Sequence, residues 1–276
     1  MKLRSLLIVF TLLFALCARA SSTSATPQLG LQTWTCRNMN FEQVVAFATK
    51  HGITQLQFIA AQLNPSAPAE ENLRKKAVLE KAGLHVYTFG VNATTLDKAT
   101  NRKLFEFAKL MGIKLIIVEP KDFAQWDNLE QLVKEYDIKL AIHNHGKGSV
   151  YGDPATVKKI LAARDARIGV CLDVGWVTAA GFDAAAIFRD YGDRVFDIHF
   201  KDKKTSVVDG KSVAVDTELG QGDSNYAGLF AEIKKSKWSG VLAIETDSKA
   251  FAEDPNRLVS EGKNYFAKNL GTPATK

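Results

Sequence analysis

Two periods of apolar residues alternate along most of the chain. Short apolar runs rich in β-branched residues give way to longer stretches in which apolar positions recur every three or four residues. The runs predict buried strands and the stretches predict amphipathic helices. Strands are expected at 29–34, 54–60, 85–90, 114–119, 139–143, 168–172, 195–199 and 241–245. Helices are expected at about 40–50, 71–83, 95–111, 126–136, 154–163, 183–191, 226–236 and 254–270. Asn40 and Asp153 are placed as caps, with Pro154 in a first helical turn. Residues 203–223 read as a long polar loop, with Gly220-Gln221-Gly222 as a turn before the seventh helix. Strict strand–helix alternation implies a parallel sheet with right-handed crossovers. Eight such pairs favour closure into a single (β/α)8 TIM barrel over an open sheet, and no G-x-G-x-x-G follows the first strand to support a dinucleotide fold.

The N-terminus adds a separate expectation. Lys2 and Arg4 precede an apolar stretch at 6–18, and Ala18-Arg19-Ala20 is a small-x-small site, so residues 1–20 read as a signal peptide. Leu16 before Cys17 disfavours a lipoprotein site. Residues 21–27 read as a flexible leader and 28–276 as the barrel. The expected location is secreted, periplasmic in a Gram-negative source. No later apolar run is long enough to span a membrane.

Removing the first 20 of 276 residues leaves 256, close to the usual length of this barrel. It also takes away three basic residues, so the net charge falls from +6 to +3. With lysines scattered over the predicted helices, that balance gives no case for nucleic acid as a partner. Cys36 and Cys171 fall in or just after non-adjacent strands and are expected to be buried free thiols.

Chemistry gathers where strands end. The stretches RIGVCLDVGW and RVFDIHFKDK are apolar until their last residues, then offer Asp173 in the first and His199, Lys201 and Asp202 in the second. KLAIHNH ends with His143, Asn144 and His145, and GVLAIE ends with Glu245. In a TIM barrel these ends face one mouth, where active sites lie. A lone Asp or His after a strand often only caps a helix, but His143, Asp173, His199 and Glu245 occupy corresponding positions on four successive strands. Two imidazoles and two carboxylates suit one divalent ion, with Mn, Co, Fe or Zn favoured over Mg. His145 is an acid–base candidate, or else a loop residue. Lys201 shares the parity of His199 and could hold a developing oxyanion, or be an ordinary surface charge. Glu119, ending the fourth strand, could serve as base or as acceptor for a substrate hydroxyl. Asn144, Asp202, Trp34 and Trp176 are candidate substrate contacts. Phe58 and Tyr87 join the two tryptophans as aromatics that could stack on a sugar face or simply belong to the core.

With IHNHG, GVCLDVGW…AAGFD, RVFDIHFKD, LGQG and GVLAIET in this order, the chain resembles the xylose-isomerase-like barrel family, often called sugar phosphate isomerases/epimerases. The resemblance covers most of the chain beyond residue 28 and is densest between Leu140 and Glu245. It implies a divalent ion held after strands five to eight, which carries over to His143, Asp173, His199 and Glu245. Two departures stand out: His143 replaces the acidic residue usual after strand five, and Trp176 replaces a frequent histidine.

Together with the expected export, the resemblance implies an unphosphorylated carbohydrate or 3-keto-glycoside as substrate. The implied activity is a metal-dependent isomerase, epimerase or keto-sugar lyase that removes a proton next to a carbonyl. A non-catalytic sugar-binding barrel is an alternative, and a metal-dependent phosphodiesterase or AP-endonuclease-like enzyme a further one. The reading allows a homo-oligomer.

Overall fold

The strand order β1-β10-β7-β6-β5-β4-β3-β2 closes on itself, all neighbours parallel, in a computed structural model that describes residues 26–271. The barrel strands are β1 (Gln28–Gln32), β2 (Gln55–Phe58), β3 (His85–Asn92), β4 (Leu115–Val118), β5 (Lys139–His143), β6 (Ile168–Asp173), β7 (Val195–Phe200) and β10 (Val241–Ile244). The expected (β/α)8 barrel is therefore the fold. The signal peptide at 1–20, most of the leader at 21–27 and the last five residues of the barrel span lie outside the described residues.

Helices cover the outside: α1 (Phe41–His51), α2 (Ala69–Lys81), α3 (Lys98–Met111), α4 (Trp126–Tyr136), α5 (Pro154–Ala163), α7 (Ala184–Tyr191), α8 (Tyr226–Ser236) and α10 (Asn256–Leu270). Their starts follow capping chemistry. Asn40 and Gln43 form a reciprocal capping box on α1, and Asp97, Asp153 and Asp183 accept backbone N–H groups at α3, α5 and α7. Two short helices sit in the loops beyond barrel strand ends: α6 (Val174–Ala179) directly after β6, and α9 (Lys249–Glu253) after the loop that follows β10. No strand or helix period announces segments so brief.

The apolar faces of strands and helices meet in one continuous core that includes Leu31, Phe58, Phe89, Phe200 and Phe266, all fully buried. Each such side chain contributes about 1.5–3 kcal/mol of transfer free energy. A separate cluster of Leu115, Ile117, Ala141 and Cys171 fills the inside of the barrel. Strand side chains alternate, so Ala141, Cys171 and Asp197 share the inward face with His143, Asp173 and His199, two residues further along β5, β6 and β7. Cys36 and Cys171 are free and buried, as the sequence suggests.

The expected loop at 203–223 is corrected. An antiparallel hairpin, β8 (Asp202–Val208) and β9 (Lys211–Thr217), rises immediately after β7. Asp209 and Gly210, both at positive φ, make its two-residue turn. An Asp-Gly flanked by β-branched residues is a strong hairpin signal. Charged residues and the exposed Val207, Val208 and Val215 disguised it, since the hairpin has no buried face to impose a clean alternation.

Asp202, expected as a substrate contact, is a buried loop anchor and is not among the residues lining the cavity at the barrel mouth. Its carboxylate accepts the N–H groups of Gly220 and Gly222, both at 2.9 Å, and of Ser224 at 3.2 Å. A side chain at Gly222 would run into this carboxylate, which is why glycine stands there. Asp202→Ala is expected to lower unfolding free energy by about 2–4 kcal/mol in urea titrations, because three N–H groups lose a charged acceptor. Wild-type stability in that variant would refute the anchoring role.

Candidate functional site

A cavity of about 340 Å³ opens at the C-terminal end of the barrel. One side is polar and carries His143, His145, His199, Lys201, Glu245 and Asp247; the other carries Trp34, Ile59, Ala61 and Val91, with Gln32 between. The volume lies at the low end for small-molecule sites.

Register creates the polar side. His143 is level with Cys171, and Asp173 with His199, so the side chains ending β5, β6 and β7 converge. Asp173 Oδ2 lies 3.5 Å from His143 Nε2 and 3.5 Å from His199 Nδ1. Glu245 follows β10 directly and shares the Lys201 ammonium with Asp173. Of the sequence-predicted residues, the structure thus brings together His143, Asp173, His199, Glu245, Lys201 and His145.

The electrostatics are those of a dry site rich in negative charge. Burial lowers His143 to about 4 and also lowers His199, so both rings are neutral. Burial works against ionised Asp173, yet the Lys201 ammonium and the His143 ring hold it well below the usual carboxylate range. Burial raises Glu245 to about 8 despite Lys201. Burial disfavours charge on Lys201 as well, but Asp173, Glu245 and Asp247 outweigh it and keep it an ammonium.

These residues fit a divalent ion. His199 Nδ1 is buried without a hydrogen-bond partner, Asp173 Oδ2 and Glu245 Oε2 are buried carboxylate oxygens that share the Lys201 ammonium, and His143, Asp173 and His199 offer ligand atoms within 4.8 Å of one another. Two neutral imidazoles and two carboxylates form a donor set suited to a transition ion. Gln57, which the sequence reading missed, orients one of them. Its Nε2 donates to the Gly90 carbonyl at 3.1 Å, which turns its Oε1 towards His199 Nε2 at 3.0 Å. His199 therefore carries its proton on Nε2 and points a free Nδ1 lone pair at Asp173. The signal was present: Gln55 and Gln57 alternate with Leu56 and Phe58 in a strand whose inward face is polar.

Glu119 and His145 form a second unit. His145 Nδ1 is 2.9 Å from Glu119 Oε1, and this hydrogen bond raises the imidazole above its ordinary range against the effect of burial. His145 faces the cavity, whereas Glu119 reaches it only through that ring. Asp247, also missed, has the parity of Glu245 and stands at the mouth 2.8 Å from Lys201.

The other candidates are placed differently. Asn144 is a clamp between strand ends and not a cavity contact: its Nδ2 donates to the Asp173 carbonyl at 3.2 Å, and its Oδ1 accepts the Asp173 N–H at 2.9 Å. Trp176 stands behind the wall, half-buried, with the Lys203 ammonium 3.9 Å from its ring centroid. Trp34 does line the lip. The Arg37 guanidinium stacks on its ring and ties its loop to the carbonyls of Thr246, Asp247 and Ser248. Phe58 is core, and the Tyr87 hydroxyl donates to Asp197 inside the barrel at 2.9 Å.

Residues 45–269 match the xylose isomerase-like TIM barrel family. The chain belongs to that family. Among curated relatives, the inosose dehydratase of Clostridium perfringens is 22% identical over 270 residues, covering 82% of this chain and 89% of that protein. Among solved structures, the IOLI protein with a bound zinc atom superposes with a TM-score of 0.73 at 15% identity, covering 90% of this chain and all of that one. A sugar phosphate isomerase/epimerase from Parabacteroides distasonis gives 0.65 at 16% identity, covering 92% and 96%. These two likenesses establish the shared barrel. Among the described residues no helix is long and apolar enough to cross a membrane.

If Gln57 orients His199, Gln57→Leu should weaken divalent-ion binding about 10–100-fold while the far-UV spectrum stays native. Unchanged affinity in a calorimetric titration would remove Gln57 from the site.

Proposed function

We propose that the protein is a metal-dependent dehydratase-type lyase acting on an unphosphorylated keto-sugar, with proton abstraction next to the carbonyl as its first step. The observation that carries this reading is the cavity itself, where His143, His199 and Glu245 beside the buried Asp173, His145 backed by Glu119, and Lys201 line one sugar-sized space. A divalent ion held by the four strand-end residues would polarise the carbonyl and acidify the adjacent C–H.

The chain's own residues supply the rest. Glu119 holds His145 in one orientation, so the imidazole can take the proton. Trp34, Ile59, Ala61 and Val91 offer an apolar wall to the C–H face of a ring. Lys201 is the one Lys or Arg among the described residues lining the cavity, and it is already tied to three carboxylates. A phosphate would find no free cation there, which favours a neutral sugar. Export through residues 1–20 to the periplasm would fit the same substrate class.

Elimination is favoured over epimerisation because, among the described residues lining the cavity, His145 with its Glu119 partner is the acid–base unit that is neither a candidate ligand nor engaged in the Lys201 ion pairs. Epimerisation by two bases needs groups on opposite faces. One imidazole can take the C–H proton and return it to a departing hydroxyl on the same face. Water then leaves, and a carbon–carbon double bond remains beside the carbonyl. The inosose dehydratase names of the curated relatives point the same way.

The test is incubation of the ion-loaded protein with keto-inositols and 3-keto-glycosides in deuterated water. Exchange next to the carbonyl and loss of water are expected, and His145→Ala should slow both about 10²–10⁴-fold while retaining the ion. An ion-loaded wild type that exchanges none of these protons would refute the proposal.

A further inference from the structure

Lys201 stands in an unusual place. Its ammonium lies 3.1 Å from Asp173 Oδ2, within ion-pair contact of Glu245 Oε2, and 2.8 Å from Asp247 Oδ2. The first two oxygens belong to the candidate ligand set and the third does not. We propose that Lys201 is a built-in competitor for the divalent ion: it holds Asp173 and Glu245 together when the ion is absent, and moves onto Asp247 when the ion binds. This rests on the reading that the four strand-end residues hold such an ion.

Three observations support it. The first is charge. With all carboxylates ionised, Asp173, Glu245, Asp247 and Asp216 carry four negative charges against the two on Lys201 and Lys203, leaving the equivalent of one divalent ion unmatched. An ammonium and a dication cannot both sit on the same two oxygens, since their repulsion in a water-poor site is strong.

The second is that the lysine has a prepared path. Its stem runs over Gly175 in α6, where a Cβ would come within 2.8 Å of Lys201 Cγ, so glycine leaves room for the chain. The Trp176 ring lies 5.5 Å from the ammonium and gives it an aromatic neighbour on the outer side.

The third is that the receiving carboxylate is fixed. Asp216 of β9, itself buried and paired with Lys203, accepts the Thr246 hydroxyl at 2.6 Å and the backbone N–H groups of Asp247 and Ser248. The hairpin thereby holds Asp247 at the mouth, where its side chain is 36% exposed. Lys201 can release two partners without becoming an unpaired buried charge.

The decisive experiment titrates chelator-treated full-length protein with cobalt(II), following its visible absorption, in wild type, Lys201→Met and Lys203→Met. Lys203 also touches Asp247 but neither candidate ligand of the ion, at 3.3 Å in the case of Asp247. Lys201→Met should bind cobalt at least about tenfold tighter than wild type, and Lys203→Met should shift affinity less than about threefold. Equal cobalt affinity in wild type and Lys201→Met, or equal tightening in both variants, overturns the competition and leaves the metal reading standing. No cobalt bound by any of them overturns both. Should Lys201→Met fail to fold, a crystal structure of cobalt-loaded wild type decides. Lys201 Nζ must lie beyond about 4 Å from Asp173 Oδ2 and remain on Asp247. An ammonium still seated on Asp173 and Glu245 refutes the proposal.

Discussion

Asp173, Glu245 and Asp247 meet at the barrel mouth around a single ammonium, and the removal of these carboxylates from water governs the site. Desolvated anions demand positive charge nearby, and Lys201 supplies only part of it. The shortfall is visible in Glu245, raised to about 8 by burial even with Lys201 in contact. The arrangement is charged for a second cation. The neutral rings of His143 and His199 add ligand atoms without adding to the imbalance.

The barrel makes this concentration unavoidable. Parallel strands in register bring alternate side chains from neighbouring strands to one level. Below the mouth the same inward face carries Cys171 and Asp197, with Tyr87 reaching across from β3. Burial raises Asp197 to about 7, softened by the Tyr87 and Cys171 hydrogen bonds. The inside of this barrel therefore mixes the apolar Leu115, Ile117 and Ala141 with the buried Asp197, Tyr87 and Cys171 beneath a charged mouth, enclosed by an apolar shell between strands and helices.

Much of this was legible in the sequence, for a physical reason. A buried strand is largely apolar along its length, so a reactive residue at its end stands out. KLAIH and IGVCLD show that break at His143 and Asp173, VFDIHF shows it at His199 with Asp197 as an earlier exception, and VLAI shows it one residue on, at Glu245. Helices α1 and α5 begin at the expected caps, Asn40 and Asp153, for the same kind of reason. What escaped notice lacked such contrast. Asn144 and Asp202 look like site residues because they follow strands, but each satisfies backbone groups that only the folded loops bring near. Gln57 sits inside a strand, where a glutamine reads as a solvent-facing alternation. Its value appears only once Gly90 and His199 are placed around it. The hairpin of β8 and β9 has no buried face, so period alone could not reveal it.

The departure at His143 follows from the same charge balance. The family resemblance leads one to expect an acidic residue there. His143 Nε2 is 3.5 Å from Asp173 Oδ2. A carboxylate in its place would add one more anion to Asp173, Glu245, Asp247 and Asp216, against Lys201 and Lys203, in a site where burial already raises Glu245 to about 8. Burial keeps His143 neutral, so it offers a lone pair without charge. Asp247, fixed by Asp216 and the hairpin, supplies the third carboxylate from the β10 side instead. Moving negative charge from β5 to the loop after β10 also moves it next to the lysine that must be accommodated when a metal ion enters. On this view the histidine after β5, the aspartate after β10 and the hairpin that anchors it form one linked solution, and changing any one of them alone would unbalance the mouth.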